Sequence, residues 1–335
     1  GTLDPAEWRE SVAVSGTVDV GTDLLDPRPA TFFLAWDAEN LYMGCRVYLR
    51  AGYRPRLGGG RVADGADCYD DGLECLFKPM GRNVSNQNHA TEFKFNLSCL
   101  GHGGTYTRLV VGQIMKNWEP RMRTATRITA SGTAPDGGIW WELEAAFSLS
   151  DFELVGENRA GDTWRLMLGI NHLPMVGWMQ ARIPCVGSYF TPQGKSLATL
   201  VEATPAVQMT MDALSNLAAD GTAAVALKLY NPAKTPAQVT LDLDVAGRVV
   251  RHQALDIPAA GETVYTLGEK LPDDVKDGRF TLRVAQGETT LLAYTANFEV
   301  GRYNTRLKPV PDPDPNAFTF AAKFNPVRSL LEIVK

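Results

Sequence analysis

Polar side chains occupy alternate positions in several segments whose other residues are apolar. Glu92, Lys94 and Asn96 alternate with Phe and Leu residues, and Glu74 and Asn171 have the same outward phase in two other segments. Successive side chains of a β-strand point to opposite faces of the sheet, so one face would carry carboxylate, ammonium and amide groups. Such groups can form paired hydrogen bonds with the hydroxyl groups of a saccharide. Glu74, Lys94, Asn96 and Asn171 are therefore candidate saccharide-binding residues.

A simpler interpretation is that these residues form the solvated face of an antiparallel sheet. The alternating pattern by itself favours this simpler interpretation. Arg46 has the outward phase in a neighbouring segment, and we expect it to join the same row of polar residues.

The tryptophans separate into two groups. Trp36, Trp141 and Trp164 alternate in step with apolar residues, so we expect them in a core. Trp118, in a polar segment, and Trp178 are candidates for exposed positions. An exposed aromatic ring can stack on the apolar face of a sugar, so we treat these two residues as candidate binding platforms.

An acidic segment suggests a metal site. Residues 64–71 contain four aspartates and one glycine, and carboxylate oxygens are the ligands that calcium prefers. The spacing differs from that of an EF-hand loop. Asp67, Asp70 and Asp71 are the candidate ligands, and calcium is the one cofactor that the sequence suggests. The alternative is a solvated turn in which an aspartate bonds to the backbone.

The sequence contains little that would support catalysis. Glu142 and Glu144 share one strand face about 7 Å apart, and a glycosidase places its carboxyl groups about 5–10 Å apart. Glutamates are nevertheless common on the wet face of a strand, and we favour that interpretation. The sequence has neither a Gly-x-Ser-x-Gly motif nor a phosphate-binding loop. We predict no catalytic residue in this chain.

The distribution of Trp and Cys divides the chain. All seven Trp and all five Cys lie in the first 200 residues, which a single core would not produce. We predict an all-β fold of two β-sandwiches in tandem, at residues 1–203 and 204–301. The second region has short strands separated by Gly, Pro and Asp turns, which is typical of an immunoglobulin-like sandwich.

Residues 302–335 differ from both regions. Proline stands at every second position from 309 to 315, which prevents a sheet ladder and predicts an extended linker. Residues 318–335 then read as a strand or two that either folds back on an existing domain or begins another one. Because this pattern stops abruptly, we expect further domains in the same polypeptide.

Charge and composition exclude some classes of function. The net charge is −5, whereas nucleic-acid binding needs clustered Lys and Arg to neutralise phosphates. The sequence has no run of about 18 apolar residues, so we expect no membrane span. Cys45 and Cys75 alternate with apolar residues, so we expect buried thiols there, while a pair between Cys68 and Cys185 stays open.

Five segments occur in a recognisable order. They are TFFLAWDAENLY (31–42), YDDGLECLFKP (69–79), EFKFN (92–96), WWELEAAF (140–147) and GDTWRLMLGIN (161–171). In this order they resemble the family 9 carbohydrate-binding modules and their DOMON-like relatives, and the resemblance covers roughly residues 5–200.

The resemblance implies a calcium-containing β-sandwich that binds saccharides, often by a chain end. In that family a pair of tryptophans clamps the sugar, while Glu, Arg and Asn side chains bond to its hydroxyl groups. The polar set corresponds here to Glu74, Lys94 where an arginine is usual, Asn96 and Asn171.

The aromatic clamp of the family has no direct counterpart in this sequence. Its first position falls near Cys68, beside Tyr69, and its second falls near Pro174, four residues before Trp178. Tyr69 therefore joins Trp118 and Trp178 as a candidate aromatic contact. The paired Met and His that hold haem in redox DOMON proteins have no convincing match here.

From these observations we expect a secreted, extracytoplasmic module that binds an oligo- or polysaccharide without catalysis, followed by an immunoglobulin-like spacer. It would belong to a larger carbohydrate-catabolic or cell-surface protein. One alternative is a structural or adhesion β-sandwich that has lost sugar binding, which the missing aromatic clamp favours. A second alternative is an accessory part of a glycoside hydrolase whose catalytic domain lies elsewhere in the polypeptide.

Overall fold

The structure, a computed structural model, is built from β-strands. A short 3-10 helix spans Leu149–Phe152, and no α-helix occurs among the residues that the structure describes. No helix in this described part has the length and hydrophobicity of a membrane span. The structure describes residues 1–9, 11–15, 17–19, 25, 30–49, 71–81, 92–99, 106–110, 113–115, 120–130, 132–134, 137–152, 159–171, 179–182, 196–201, 207–216, 221–301 and 330–334.

The first region forms one long, curled sheet. Its strands in this region are β1 (Val12–Ser15), β2 (Val18–Asp19), β3 (Ala30–Trp36), β4 (Asn40–Leu49), β5 (Gly72–Gly81), β6 (Glu92–Ser98), β7 (Tyr106–Val110), β8 (Gln113–Met115), β9 (Met122–Ile128), β10 (Ile139–Ser148), β11 (Thr163–Asn171), β12 (Met179–Arg182) and β13 (Ser196–Val201). One part of the sheet runs β8-β7-β6-β5-β11-β13, and the other runs β3-β4-β10-β9.

The two parts of this sheet pack face to face around one core. Phe77 on β5 lies against Phe147 on β10, with ring centroids 5.1 Å apart. The Cys75 Sγ on β5 lies 3.6 Å from the Met43 Sδ on β4. Apolar residues of both layers point inward because side chains alternate along each strand. The outer faces of the two layers therefore point in opposite directions, and the predicted β-sandwich is confirmed.

The tryptophans expected in this core are buried there. Trp36, Trp141 and Trp164 are each almost completely inaccessible to solvent. Trp8 is buried outside that core in a smaller cluster, and Trp140 is partly exposed. The strand phase of the sequence therefore assigned the core tryptophans correctly.

The three cysteines that the structure describes are buried and form no disulfide bond. Cys45, Cys75 and Cys99 have no disulfide partner, which confirms the interpretation of Cys45 and Cys75. Burial raises the pKa of both of these thiols, so they stay protonated and pack as small apolar groups. Cys68 and Cys185 lie outside the described residues.

Seven strands of the described residues build the second sandwich. They are β14 (Gln208–Asn216), β15 (Thr222–Tyr230), β16 (Ala237–Val245), β17 (Arg248–Ile257), β18 (Glu262–Lys270), β19 (Asp277–Gln286) and β20 (Thr289–Glu299). They form a β14-β15-β18 sheet and a β17-β16-β19-β20 sheet. Every second residue of β15 is buried, and the shared core rests on Val, Leu, Phe and Tyr side chains without any Trp or Cys.

A strand from the C-terminal segment belongs to the first sheet. β21 (Leu330–Val334) runs parallel to β13 and also pairs with β3, where Val334 lies opposite Ala35. β21 therefore lies between β13 and β3 and joins the two parts of the first sheet. Residues 302–329, which include the predicted proline-rich linker, lie outside the described residues.

The segment that holds β1 and β2 connects the two sandwiches. Val18 and Leu25 are buried in the core of the second sandwich. The Leu25 backbone N–H donates to the Asn297 carbonyl oxygen at 2.7 Å, and the Ser15 hydroxyl donates to the Met211 carbonyl oxygen. The two sandwiches are therefore in direct contact through this segment.

The turn between β3 and β4 depends on one carboxylate. The Asp37 Oδ1 accepts hydrogen bonds from the backbone N–H groups of Glu39 and Asn40, both at 2.7 Å. The Tyr42 hydroxyl donates to its Oδ2 at 2.7 Å. Partial burial acts to raise the pKa of Asp37, but these hydrogen bonds outweigh it, so the pKa lies below its ordinary value of 3.8.

We predict that Asp37→Ala lowers the free energy of unfolding at pH 7 by about 1–2 kcal/mol, because two turn N–H groups lose their acceptor. A folded-state pKa below the unfolded value means that the stabilisation is present above pH 3.8 and is lost as the pH falls through the folded-state pKa. Denaturant unfolding of both proteins at pH 7 and at acidic pH measures this difference. Tyr42→Phe is the control, since it removes the two side-chain hydrogen bonds of the Tyr42 hydroxyl and keeps both backbone N–H bonds to Asp37. An equal difference at both pH values would contradict the prediction.

Candidate functional site

The outer face of β6, β5 and β11 carries six polar side chains, and all of them except Lys94 are buried. On each strand the apolar neighbours, such as Phe77, Phe95 and Trp164, fill the core, so the residues between them point to the opposite face. We call this set the polar sheet face, and its members are Glu74, Lys78, Lys94, Asn96, Arg165 and Asn171.

Strand pairing brings these residues next to one another. Glu74 lies directly opposite Asn96 on β6, and Lys78 lies directly opposite Arg165 on β11. Asn171 lies opposite Gly72, two residues before Glu74 on β5. Side chains of directly opposed residues share a face of the sheet and lie close together.

Glu74 is the buried charge at the centre of this face. Its side chain is 5% exposed, and its Oε1 forms an ion pair with the Lys94 Nζ. Lys94 is the most accessible member of the polar sheet face, with 33% of its side chain exposed. A ligand would therefore reach the polar sheet face from the side of Lys94.

Several buried polar atoms of this face have no hydrogen-bond partner within the described part of the chain. They are the Asn96 Oδ1, both polar side-chain atoms of Asn171 and the Arg165 Nε. Leaving such an atom unpaired costs about 1–3 kcal/mol, and native proteins keep few of them. Burial also lowers the pKa of Arg165. The polar sheet face can therefore accept and donate hydrogen bonds that the described protein groups do not use.

The four polar residues that the sequence singled out thus meet on three adjacent strands. Lys78 and Arg165 were missed by the sequence reasoning. The signal that could have found them was their phase, because Lys78 is four residues after Glu74 and Arg165 is six residues before Asn171. Even spacing on a strand places them on the same face.

The expectation for Arg46 was wrong. Arg46 lies on β4, in the opposite layer of the sandwich, and its guanidinium lies 4.8 Å from the centre of the Trp140 ring. Arg46 does point away from the core, as its phase predicts, but it does so from the outer face of the opposite layer. Alternation along a strand identifies the face of that strand and not the layer to which it belongs.

The candidate aromatic contacts and most of the candidate calcium ligands lie outside the described residues. These are Tyr69, Trp118, Trp178, Asp67 and Asp70. The calcium site and the aromatic platforms therefore stay predictions.

Asp71 is the one candidate calcium ligand within the described residues. It is buried, and its backbone carbonyl accepts a hydrogen bond from the Cys99 N–H at 2.9 Å. Within the described ranges, no three His, Cys, Asp or Glu residues form a group that could hold a metal ion.

Glu144 has a structural role. Its Oε1 accepts a hydrogen bond from the Trp8 Nε1 at 2.9 Å, and its Oε2 lies 2.9 Å from the amino group of Gly1. Both oxygens are thereby engaged with the N-terminal segment. Glu144 therefore connects the outer face of β10 to Trp8 and the N-terminal segment.

Comparisons with known proteins add little to this description. No protein-family model matches the sequence, and no curated protein is similar to it. Among solved structures, a Bacteroides uniformis protein described as a candidate carbohydrate-binding protein is 14% identical, with a TM-score of 0.41 over 58% of this chain and 88% of that one. Red sea bream transglutaminase is 10% identical, with a TM-score of 0.21 over 80% of this chain and 31% of its own.

A third solved structure, the exo-chitosanase CsxA of Amycolatopsis orientalis in complex with PNP-β-D-glucosamine, is 14% identical. Its TM-score is 0.21 over 78% of this chain and 26% of that one. The chain therefore spans about a third or less of the transglutaminase and chitosanase chains. Similarity at this level carries no argument about function, which has to come from the site itself.

We predict that Asn96→Leu and Asn171→Leu do not lower the free energy of unfolding, and raise it by up to about 2 kcal/mol. Each change keeps a similar side-chain volume and removes buried polar atoms that have no hydrogen-bond partner among the described residues, namely the Asn96 Oδ1 and both polar atoms of the Asn171 side chain. Denaturant unfolding of each variant measures the effect.

Asn231→Leu in the second sandwich is the matched control. Asn231 is fully buried, donates to the carbonyl oxygens of Thr235 and Pro258, and accepts from the Ala233 N–H. This variant should lose about 2–4 kcal/mol, because it leaves three partners unpaired. A comparable loss in Asn96→Leu or Asn171→Leu would mean that these amides are structural.

Proposed function

We propose that the first sandwich is a non-catalytic carbohydrate-binding module, and that its polar sheet face binds an oligo- or polysaccharide. The observation that carries the proposal is a set of buried amide and guanidinium atoms beside the Glu74–Lys94 ion pair that find no hydrogen-bond partner among the described residues. Neighbouring hydroxyl groups of a sugar are both donors and acceptors, so they can satisfy an amide and a carboxylate at the same time.

The energetics support a ligand in preference to solvent at this face. Water reaches these atoms poorly because Glu74, Asn96 and Asn171 are each at most 5% exposed. A hydrogen bond formed there is stronger than one in bulk water, since the surrounding apolar core has a low dielectric constant. Side chains whose rotamers are already restricted by burial also lose little conformational entropy when a ligand binds.

Other parts of the proposal rest on the sequence. The resemblance to family 9 carbohydrate-binding modules supports saccharide recognition by Glu74, Lys94, Asn96 and Asn171, with Tyr69, Trp118 or Trp178 as the stacking aromatic residues. We further propose that the module is secreted and belongs to a larger carbohydrate-catabolic or cell-surface protein, in which the second sandwich acts as an immunoglobulin-like spacer.

Calcium bound by Asp67, Asp70 and Asp71 is also part of the proposal. Carboxylate oxygens suit this cation, and its role would be to order the segment before β5. Calorimetry with calcium added after chelation tests it, and we expect heat of binding and a higher Tm. If there is neither heat nor a change in Tm, the calcium site does not exist.

A second candidate function is a structural or adhesion sandwich. The observation that favours it is the burial of the polar sheet face, because a saccharide must reach groups that are almost inaccessible. In that case the face would be an inert polar layer, and no glycan would bind there.

A glycan array followed by isothermal titration separates the two candidates. We expect binding by the native chain, and we expect Asn96→Leu and Asn171→Leu each to raise the Kd at least about tenfold, because each removes a buried hydrogen bond. Trp118→Ala and Trp178→Ala test the aromatic contacts in the same titration.

Gln238→Leu is the control for this titration, since Gln238 is exposed on the second sandwich. It should leave the Kd unchanged. If plant, algal and host glycans all fail to bind, the structural alternative is correct. If binding is unaffected by the Asn96 and Asn171 changes, the site is elsewhere.

A further inference from the structure

A cavity of about 140 Å³ lies at the junction of the two sandwiches. Its walls come from the N-terminal segment 3–9, from the outer face of β3 and β4, and from the β14-β15-β18 sheet. We call it the junction pocket, and its principal residues are Trp8, Arg46, Gln208, Lys228, Tyr230 and Glu262. None of them belongs to the polar sheet face, so this is a separate site.

Three of these residues form a row across the sheet of the second sandwich. Gln208 on β14 lies opposite Tyr230 on β15, and Tyr230 lies opposite Glu262 on β18. Opposed residues share a face, and the neighbouring Leu229 fills the core on the other side. The row therefore presents an amide, a phenol ring and a carboxylate to the first sandwich.

Aromatic side chains form flat and well-supported walls. Trp8 is held by the hydrogen bond from its Nε1 to Glu144 at 2.9 Å, and it packs on Phe33 with centroids 5.9 Å apart. The Arg9 guanidinium lies 5.5 Å from the centre of the Tyr230 ring. Because these rings are already fixed, little ordering is needed when a ligand binds.

Gln208 provides a buried acceptor that is not used by the described residues. Gln208 is only 8% exposed. Its Oε1 has no hydrogen-bond partner in the part of the chain that the structure describes. Beside it, the Lys228 Nζ and the Glu262 Oε2 form an ion pair at 3.2 Å, and about a third of each side chain is exposed. A ligand in the pocket could therefore donate a hydrogen bond to the Gln208 Oε1. It would also lie near a positive charge on Lys228 and a negative charge on Glu262.

We propose that the junction pocket binds one pyranose ring, either as a monosaccharide or as the terminal residue of a glycan. The volume of about 140 Å³ suits the six-membered ring itself, since a cavity of about 150 Å³ accommodates benzene, and the ring's outer hydroxyl groups would lie at the open side of the pocket. The C–H face of the ring packs on the aromatic walls, and one hydroxyl group donates to the Gln208 Oε1. Glu262 accepts from a second hydroxyl group, and Lys228 donates to a third oxygen.

The combination of groups distinguishes a sugar from other small rings. A purely aromatic ligand would leave the Gln208 oxygen unpaired, and a compact anion would not use the aromatic walls. A ligand held between residues of both sandwiches also binds only when the junction is formed, so it stabilises the junction.

Titration of the full chain with D-glucose, D-galactose and D-glucuronate tests the proposal, with calorimetry and Trp fluorescence as readouts. We expect saturable binding of at least one of these sugars. Gln208→Leu and Tyr230→Ala should each raise its Kd at least about tenfold. Tighter binding of glucuronate would show that the cationic side chains select an acidic sugar, whereas tighter binding of glucose or galactose would show a neutral one.

Asn96→Leu is the control that separates this proposal from the function proposed for the polar sheet face. It should leave monosaccharide binding unchanged, even if it abolishes binding of longer glycans. In the absence of sugar, Gln208→Leu should keep or raise the Tm, because it replaces an unpaired buried acceptor.

Three results would overturn the proposal. The first is that none of the three sugars binds. The second is binding that is insensitive to both Gln208→Leu and Tyr230→Ala, or that is lost in Asn96→Leu. The third is a drop in Tm for Gln208→Leu as large as that of Asn231→Leu, which would make Gln208 a structural residue.

Discussion

The aromatic cluster around Phe77 holds the two layers of the first sandwich together, and the position of the polar sheet face depends on it. The Phe77 ring lies 5.1 Å from that of Phe147 in the facing layer and 5.5 Å from that of Phe95 on the adjacent strand. Each ring in the core fixes the phase of its strand, so the next residue along must point outward. A slip of one residue would place Lys78 in the core and Phe77 on the outer face. Such a slip would be very costly, because it buries a charged group in an apolar core and removes an aromatic ring from it.

The same constraint explains how a sheet face can hold buried charges and amides without losing the fold. The core on the other side of the sheet supplies enough apolar burial to tolerate a few unpaired polar atoms. Each of these atoms lowers stability by an amount comparable with a single core substitution. Under the proposed function, a bound ligand would supply the hydrogen bonds that Asn96 and Asn171 do not form with the described residues. Asn231 shows the opposite case, since a buried amide with three partners serves the fold alone.

Contact between the sandwiches creates a second environment that neither has by itself. The side chains of Val18, on β2 of the first sheet, and of Leu25 pack in the core of the second sandwich. This packing holds the outer face of β3 and β4 close to the β14-β15-β18 sheet. Residues that would be solvated on an isolated sandwich become the walls of a cavity. Gln208 illustrates the change, because it has the outward phase of its strand and is nevertheless buried.

The sequence by itself determined the all-β class, the two sandwiches and the strand face on which Glu74, Lys94, Asn96 and Asn171 lie. Glu74 and Asn171 could be assigned in this way because alternation is a local property, set by the geometry of consecutive residues. Only the tertiary structure decided which strands are neighbours and which layer each strand joins. It placed Arg46 in the opposite layer, and it brought Gln208 and Tyr230 to the first sandwich. These outcomes depend on pairing and packing between residues that are far apart in the chain. The alternation of apolar and polar residues along one strand contains no information about either.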